Sequence, residues 1–331
     1  MKIKNALLVI LLILLILVTP ALARETLGIN LEGYNYPYPV KEFRFRSQQQ
    51  DLVMAYQHEK SPTPNGKTVL LLHGKNFNGA YWGETTAALL DSGYNVIVPD
   101  QIGFGKSSKP AHFHFTFQQL AENTKALLEK EGVKECIVLG HSMGGMLATR
   151  YALMFPERTE KLILLNPIGL EDWKLKVPYV GVDRWYEQEL KKTAEGIKKY
   201  QLESYYFGQW NEQYDPWVYL LAAPLKSPDY PRLAWNAALT YDMIFTQPVF
   251  YEFSELQVPT VLMIGLRDTT ALGKNLVSPE VAATMGNYPA LGRQVAGTIP
   301  EAELIEFEGL GHLPHIQDFE RFREALLDNL D

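Results

Sequence analysis

The chain nearly lacks cysteine: Cys136 stands alone among 331 residues, so no disulfide can form within it. It also lacks an excess of positive charge. Thirty-one Lys and Arg against 38 Asp and Glu leave a net charge of −7, which gives nucleic acid no electrostatic footprint. Nor is there a long apolar run: the longest, residues 6–18, would reach only about 20 Å as a helix, against a hydrocarbon core of about 30 Å. Histidine is sparse, and the close pair His112 and His114 has no carboxylate nearby to complete a metal site. No internal repeat or low-complexity tract interrupts the chain. What remains is 47% apolar residues with 21% charged, enough to bury the core of one large α/β domain carrying an insertion.

The N-terminus reads as a secretory signal over residues 1–23: Lys2 and Lys4, the apolar run, then Pro20 and Ala21-Leu22-Ala23 as an A-x-A cleavage site. A periplasmic or extracellular location is therefore expected, the alternative being an anchor left uncleaved. Removing this segment takes away two lysines and no acid, so the mature part is more acidic still. Residues 24–40 have little periodicity, and Tyr36-Pro37-Tyr38-Pro39 favours an extended arm on the surface. Alternation at Phe43 and Phe45, then at Leu52, Met54 and Tyr56, predicts two antiparallel strands joined near residues 47–50.

From Lys67 the texture changes to short continuous apolar runs at 67–72, 95–99, 135–139, 161–166, 260–265 and 303–307. Such runs, separated by helical stretches, belong to a parallel sheet covered on both faces. Thr116 and Gln119 form a capping-box pattern ahead of a helix that Gly132 closes. Residues 169–256 break the alternation and hold five of the six tryptophans, which predicts an inserted helical cap between core segments 24–168 and 257–331. Within it, Lys191, Lys192, Lys198 and Lys199, with Glu187 and Glu195 four residues before two of them, read as a solvated helix face. Cys136, inside a predicted strand, reads as a small buried hydrophobe.

Gly140-His141-Ser142-Met143-Gly144 falls between one of these strands and a helix, the setting of a nucleophile elbow. Gly140, Gly144 and Gly145 leave the room that a strained serine turn needs. A serine hydroxyl becomes a useful nucleophile only when a base takes its proton, and the base needs a carboxylate to orient it. Asp268 follows the strand at 260–265, and His312 follows the strand at 303–307. In a parallel sheet both loops lie on the edge where Ser142 projects.

Four motifs, His73-Gly74, the 100–107 segment Asp-Gln-Ile-Gly-Phe-Gly-Lys-Ser, the elbow and Gly311-His312, stand in order on the expected elements. The chain resembles the α/β-hydrolase family over nearly all of its mature part. The resemblance implies Ser142 as nucleophile, His312 as general base and acid and Asp268 as orienting carboxylate. It also implies an oxyanion hole from the backbone N–H of Met143 and of Lys75, with Asn76 as the alternative, and no metal or organic cofactor. His73 and His141 fall at positions that are structural in the family. His315 is set aside because only His312 follows Gly311, and Glu171 and Asp172 are kept as alternatives to Asp268. The 43 residues between Asp268 and His312 exceed what the family needs, implying an insertion around 275–291.

The resemblance implies a serine hydrolase acting on carboxylic esters of small molecules. Serine at position 142 argues against the dehalogenase and epoxide hydrolase relatives, which place Asp there. Lys75-Asn76-Phe77-Asn78-Gly79 departs from the Gly-Pro-Gly run of proline iminopeptidases. Peptidase, thioesterase, lactonase and carbon–carbon hydrolase activity remain open on the same triad. A non-catalytic binding module is disfavoured because the three triad residues are all present. The cap's tryptophans and tyrosines suggest an apolar or aromatic substrate group.

Overall fold

A computed structural model describes residues 26–330. The predicted signal segment therefore lies outside the described residues. Eight strands form one sheet in the order β1-β2-β4-β3-β5-β6-β7-β8. They are β1 (Val40–Ser47), β2 (Gln50–Glu59), β3 (Thr68–Leu72), β4 (Asn95–Pro99), β5 (Cys136–His141), β6 (Thr159–Leu165), β7 (Thr260–Gly265) and β8 (Glu303–Phe307). Strands β3 to β8 run parallel, and β2 joins β4 antiparallel. The β1–β2 hairpin turns through Gln48 and Gln49, both at positive φ. The Gln48 side chain then holds the backbone N–H and carbonyl of His114 at 2.8 and 2.9 Å.

The apolar runs are continuous because successive residues serve two cores. Leu70, Leu72, Val138, Leu162, Leu164, Leu262 and Ile264 face one side; Val69, Leu71, Ile137, Leu139, Ile163, Leu165, Val261 and Met263 face the other. Helices cover both faces. On the second side lies α1 (Gly83–Asp91), which contributes Leu89; on the first lie α2 (Phe117–Lys130) and α3 (Met143–Met154). Thr116 caps α2 by accepting the Gln119 N–H at 2.9 Å, but the Gln119 side chain bonds Asn123 instead of returning to the cap, so only half the capping box forms. The Phe117 N–H, another of the free donors at this helix start, is instead accepted by the Gln247 side chain from across the chain.

Between β6 and β7 the regular structure is all helical: α4 (Val182–Glu189), α5 (Ala194–Tyr200) running into a π-helical turn Gln201–Tyr205, α6 (Asp215–Ala222) and α7 (Tyr230–Thr246). After β7 come α8 (Pro279–Ala282) and α9 (Tyr288–Ala296), and after β8 come α10 (Pro314–Gln317) and α11 (Phe319–Leu327). Helix α9 packs on β7 and β8, with Gly292 fitted against Ile264, so it is the crossover that joins two parallel strands. The extra length before His312 therefore ends ahead of Tyr288, short of the 275–291 expectation.

The arm is more than a surface strap. Leu27 and Leu31 are buried against Ala80, Leu220 and Ala223, and Tyr36 donates to Asp100 at 2.7 Å. Asp100 also accepts the Gly79 N–H at 2.6 Å and the Lys106 N–H at 2.7 Å. One buried carboxylate thus fixes the arm, the loop after β3 and the loop after β4 together. The chain moves from β3 outward to β4 and then back past β3 to β5. That reversal places the loops after β3 and β5 side by side, where open α/β sheets hold their ligands.

Candidate active site

Ser142 follows β5 and caps α3 with φ 57° and ψ −121°, a backbone conformation that costs a non-glycine residue about 1–3 kcal/mol. The surroundings permit no other path. A Cβ on Gly140 would lie 2.1 Å from the Gly144 carbonyl oxygen, one on Gly144 2.2 Å from the Leu72 carbonyl oxygen, and one on Gly145 2.5 Å from Pro167 Cβ. The Ser142 carbonyl accepts from Gly145 and Ile168, and its N–H donates to Leu165, which holds the turn closed.

His312 and Asp268 meet at the same sheet edge. His312 Nδ1 lies 2.6 Å from Asp268 Oδ2, with both side chains wholly buried. An ionised carboxylate only accepts, so Nδ1 carries the proton and Nε2 keeps its lone pair. Nε2 has no partner among the described residues. Asn166 donates to the same Asp268 oxygen at 2.9 Å while its own carbonyl accepts the Gly265 N–H, and Thr270 N–H donates to Oδ1 at 2.8 Å. Asp268 is thus held in one orientation by three donors. Asn166 sits at φ 38°, a conformation asparagine tolerates better than most residues.

The backbone of His312 is fixed as tightly. Its N–H donates to the Tyr205 carbonyl at 3.0 Å, and the Tyr205 ring stacks on the imidazole at 4.7 Å. Its carbonyl lies 2.8 Å from His141 Nε2, which donates to it. His141 Nδ1 in turn accepts from Tyr81 Oη at 3.1 Å, and Tyr81 accepts the Gly74 N–H at 3.0 Å. The chain of bonds joins the loop after β3, the residue before Ser142 and His312. No hydrogen bond joins Ser142 Oγ to Nε2; such bonds are often long before substrate binds.

His73, His141 and His315 are structural. His73 accepts the Gln101 N–H through Nε2 and donates to the Gly74 carbonyl. His315 packs on Trp82 at 4.7 Å with neither nitrogen partnered. Burial lowers the pKa of all three: His141 well below the usual value, with the neighbouring His312 and His315 adding to it, His315 to about 3, and His73 less far because Asp100 opposes the effect. The unfolded chain therefore binds these protons first, near pH 6.5. Stability from this source is full above that pH and drains as pH falls below it. Between pH 7 and 5.5 His315, whose folded pKa is about 3, should cost about 1 kcal/mol, with His141 and His73 adding in the same direction. Urea unfolding across that range measures it: His315→Leu should flatten the slope, and a wild type equally stable at both values would contradict it.

The N–H groups of Met143, Lys75 and Asn76 donate to no acceptor among the described residues, whereas Phe77 N–H donates to the Gly74 carbonyl. Lys75 and Asn76 thus both remain available beside Met143. Asn76 is further fixed through its side chain, which donates to Tyr205 Oη at 2.8 Å. Beside this loop lies a cavity of about 400 Å³, within the usual size for small-molecule sites. Its wall includes Lys75 to Asn78, arm residues Ile29 and Leu31, and Tyr200, Tyr230 and Tyr241 of the inserted segment, but neither Ser142 nor His312. Lys75 and Asn76 belong both to this wall and to the loop after β3 beside the elbow.

Several sequence expectations change here. None of the five inserted tryptophans lines the cavity. Trp185 stacks on Tyr241, and Trp235 donates to the Ala111 carbonyl, so they bind the segment to itself and to the core while tyrosines supply the wall. The lysine face pairs differently as well: Lys192 with the buried Glu189, Lys198 with Asp215, Lys199 with Glu203. Helix α4 stops at Glu189, so Lys191 never stands one turn beyond Glu187. Glu171 caps Gly286 and binds Lys176, and Asp172 accepts from Lys174 and Tyr251, so neither carboxylate bonds His312. Asn166, Tyr205 and the Lys75 side chain escaped the sequence reading because each acquires its place only from a distant element.

Among the described residues no group of three or more metal-binding side chains converges, and no helix is long and apolar enough to cross a membrane. Comparison with known proteins agrees with the geometry. A solved structure of a probable hydrolytic enzyme from Pseudomonas aeruginosa PAO1 superposes with a TM-score of 0.92 at 53% identity, covering 93% of this chain and 99% of that one. A cis-3-alkyl-4-alkyloxetan-2-one decarboxylase of Shewanella oneidensis is 29% identical over 236 residues, 61% of this chain and 68% of the relative. Lipase 1 of Psychrobacter immobilis is 25% identical over 258 residues, 76% of this chain and 73% of the relative. The profile of the alpha/beta hydrolase fold matches residues 67–319. With that match over most of its length and the parallel sheet built as described, the chain belongs to the alpha/beta hydrolase fold family.

Proposed function

We propose that the chain is a secreted or periplasmic serine hydrolase that cleaves carboxylic esters through an acyl-enzyme. The observation that carries the reading is the buried His312–Asp268 bond of 2.6 Å, with Nε2 left unpartnered, beside a serine held at φ 57°. Ser142 Oγ attacks the ester carbonyl as His312 Nε2 takes its proton. The oxyanion is received by the N–H groups of Met143 and of Lys75 or Asn76, and losing one such donor typically costs about 3–4 kcal/mol of transition-state stabilisation. His312 then gives its proton to the leaving alcohol, and a water activated by the same Nε2 releases the acid. Asp268 stays ionised and supports the imidazolium.

The apolar part of the cavity wall, with Ile29, Leu31, Phe77, Ile197, Leu220 and Leu233, favours an acyl or alcohol group of some length. The Psychrobacter relative, named as a lipase, supports an ester as the substrate bond. The inserted helices act as a cap that walls this space. A series of p-nitrophenyl esters of increasing acyl length, offered to the chain from residue 24, tests the reading. Turnover should pass through an optimum at medium length. A protein that is labelled by a fluorophosphonate yet cleaves none of the esters would overturn ester specificity and move the reading to amide, thioester or carbon–carbon substrates.

A further inference from the structure

The cavity is apolar on most of its wall but polar on one side, and that side has the wrong charge balance for a purely apolar guest. Its lining includes Lys75, Lys191 and Lys192 against a single acid, Glu189, in a protein whose net charge is −7. Glu189 is already engaged: it is 4% exposed and bound to Lys192 at 2.7 Å. Lys75 makes no ion pair within 4 Å among the described residues. Its ammonium lies 3.5 Å from the centre of the Tyr241 ring, a contact that orients a cation without neutralising it. Burial pushes the Lys75 pKa down to about 7, with Glu189 opposing and Lys192 adding to the shift. Gln201 also lines the cavity, fully buried, with both amide atoms unpartnered among the described residues. A buried amide left without partners is costly, and the π-helical turn that carries it ends in Tyr205, the ring stacked on His312.

An uncompensated cation and an unpartnered amide on one wall of an otherwise apolar cavity share a ligand chemistry, that of a planar anion. We infer that the preferred substrates are esters bearing a free carboxylate remote from the scissile bond, bound by the Lys75 ammonium and the Gln201 amide with Lys192 beside them. This inference rests on the serine esterase reading above and narrows its substrate class. The carboxylate accepts from Lys75 Nζ and Gln201 Nε2, and the apolar wall takes the methylenes between it and the ester. Lys75 thereby serves twice on this account, through a backbone N–H towards the oxyanion and through its side chain as a specificity determinant.

The test compares two substrates of equal chain length on the full chain: the mono-p-nitrophenyl ester of glutaric acid and p-nitrophenyl pentanoate. The quantity read is the ratio of their kcat/KM values, which cancels any general change in the oxyanion hole. Wild type should favour the anionic ester by about 10-fold or more, the usual worth of a charged hydrogen bond. Lys75→Met should abolish the preference chiefly through KM of the anionic ester, and Lys75→Arg should restore most of it. Gln201→Leu and Lys192→Met should each lower the ratio severalfold, and they read the same quantity if Lys75→Met does not fold. An equal or inverted ratio in wild type, with pentanoate cleaved well, overturns the inference and leaves the esterase reading standing. Failure to cleave either ester, with no fluorophosphonate labelling, overturns both.

Discussion

Ser142→Ala should lower kcat for ester hydrolysis by on the order of 10⁶ while leaving the fold intact. The size follows from what the side chain does: without Oγ there is no acyl-enzyme, and His312 can only assist direct attack by water. The oxyanion donors stay where they are, because they are backbone groups at Met143 and in the loop after β3. A residual acceleration of about 10³ over water is therefore expected from binding and oxyanion stabilisation alone. Alanine meets the same backbone strain at φ 57° as serine does, so the thermal midpoint should hardly move. Initial rates with p-nitrophenyl butyrate, alongside a melting curve, check both halves. A variant that keeps a tenth of wild-type kcat would mean the chemistry runs elsewhere.

Asp268→Asn should cost about 10⁴ in kcat, nearly all of it without loss of substrate binding. The hydrogen bonds around this carboxylate explain why a near-isostere fails. Oδ2 accepts from His312 Nδ1 and from Asn166 Nδ2, and Oδ1 accepts from Thr270 N–H. An amide NH₂ at the Oδ2 position would face the Asn166 NH₂ and would force His312 to accept at Nδ1, moving its proton to Nε2, where the base is needed. Placed at Oδ1 it would face the Thr270 N–H instead, and the imidazolium would still lose its counter-charge. Asn166 cannot rotate to relieve the conflict, because its carbonyl is committed to Gly265 N–H at 2.9 Å. A kcat within tenfold of wild type for Asp268→Asn would remove Asp268 from the mechanism.

Much of this site was legible because its parts sit at the ends of apolar runs. Strands buried on both faces have few polar positions to blur their limits, so β4 and β7 fall where the residue pattern puts them; the edge strand β8, with Glu303 and Glu306 exposed, is marked by its apolar centre Leu304-Ile305 and by Phe307, and the loops carrying Asp268 and His312 follow directly. The elbow is legible for a steric reason: Gly140, Gly144 and Gly145 each stand where a Cβ would strike a neighbouring chain. What resisted reading depends on contacts between distant segments. Asn166 is an ordinary strand-end residue until β7 brings Gly265 and Asp268 alongside it. The arm carries no periodic signal, yet Leu31 is buried and Lys106 holds its carbonyl at 2.8 Å. The sequence assigns Lys75 only a backbone N–H; the inserted helices, with Tyr241 and Glu189, set where its side chain goes. The tryptophans misled for the converse reason, since large aromatic surfaces serve packing as readily as binding.

The His312 environment also ties the inserted segment to the chemistry. The Tyr205 carbonyl anchors the His312 N–H, its ring covers the imidazole, and its hydroxyl accepts from Asn76 in the loop proposed to supply an oxyanion donor. A Cβ at residue 311 would lie 2.1 Å from that same carbonyl, which explains glycine there. Movement of the cap would therefore be felt at the base and the oxyanion loop together.

The central claim is that Ser142 is the nucleophile made reactive by His312 and Asp268. Its most direct test is reaction of the chain from residue 24 with a fluorophosphonate, followed by peptide mapping of the adduct by mass spectrometry. The account predicts one phosphonyl group per chain, on Ser142, absent in Ser142→Ala and formed far more slowly in Asp268→Asn. An adduct on another residue, or no adduct in a folded protein, would contradict it.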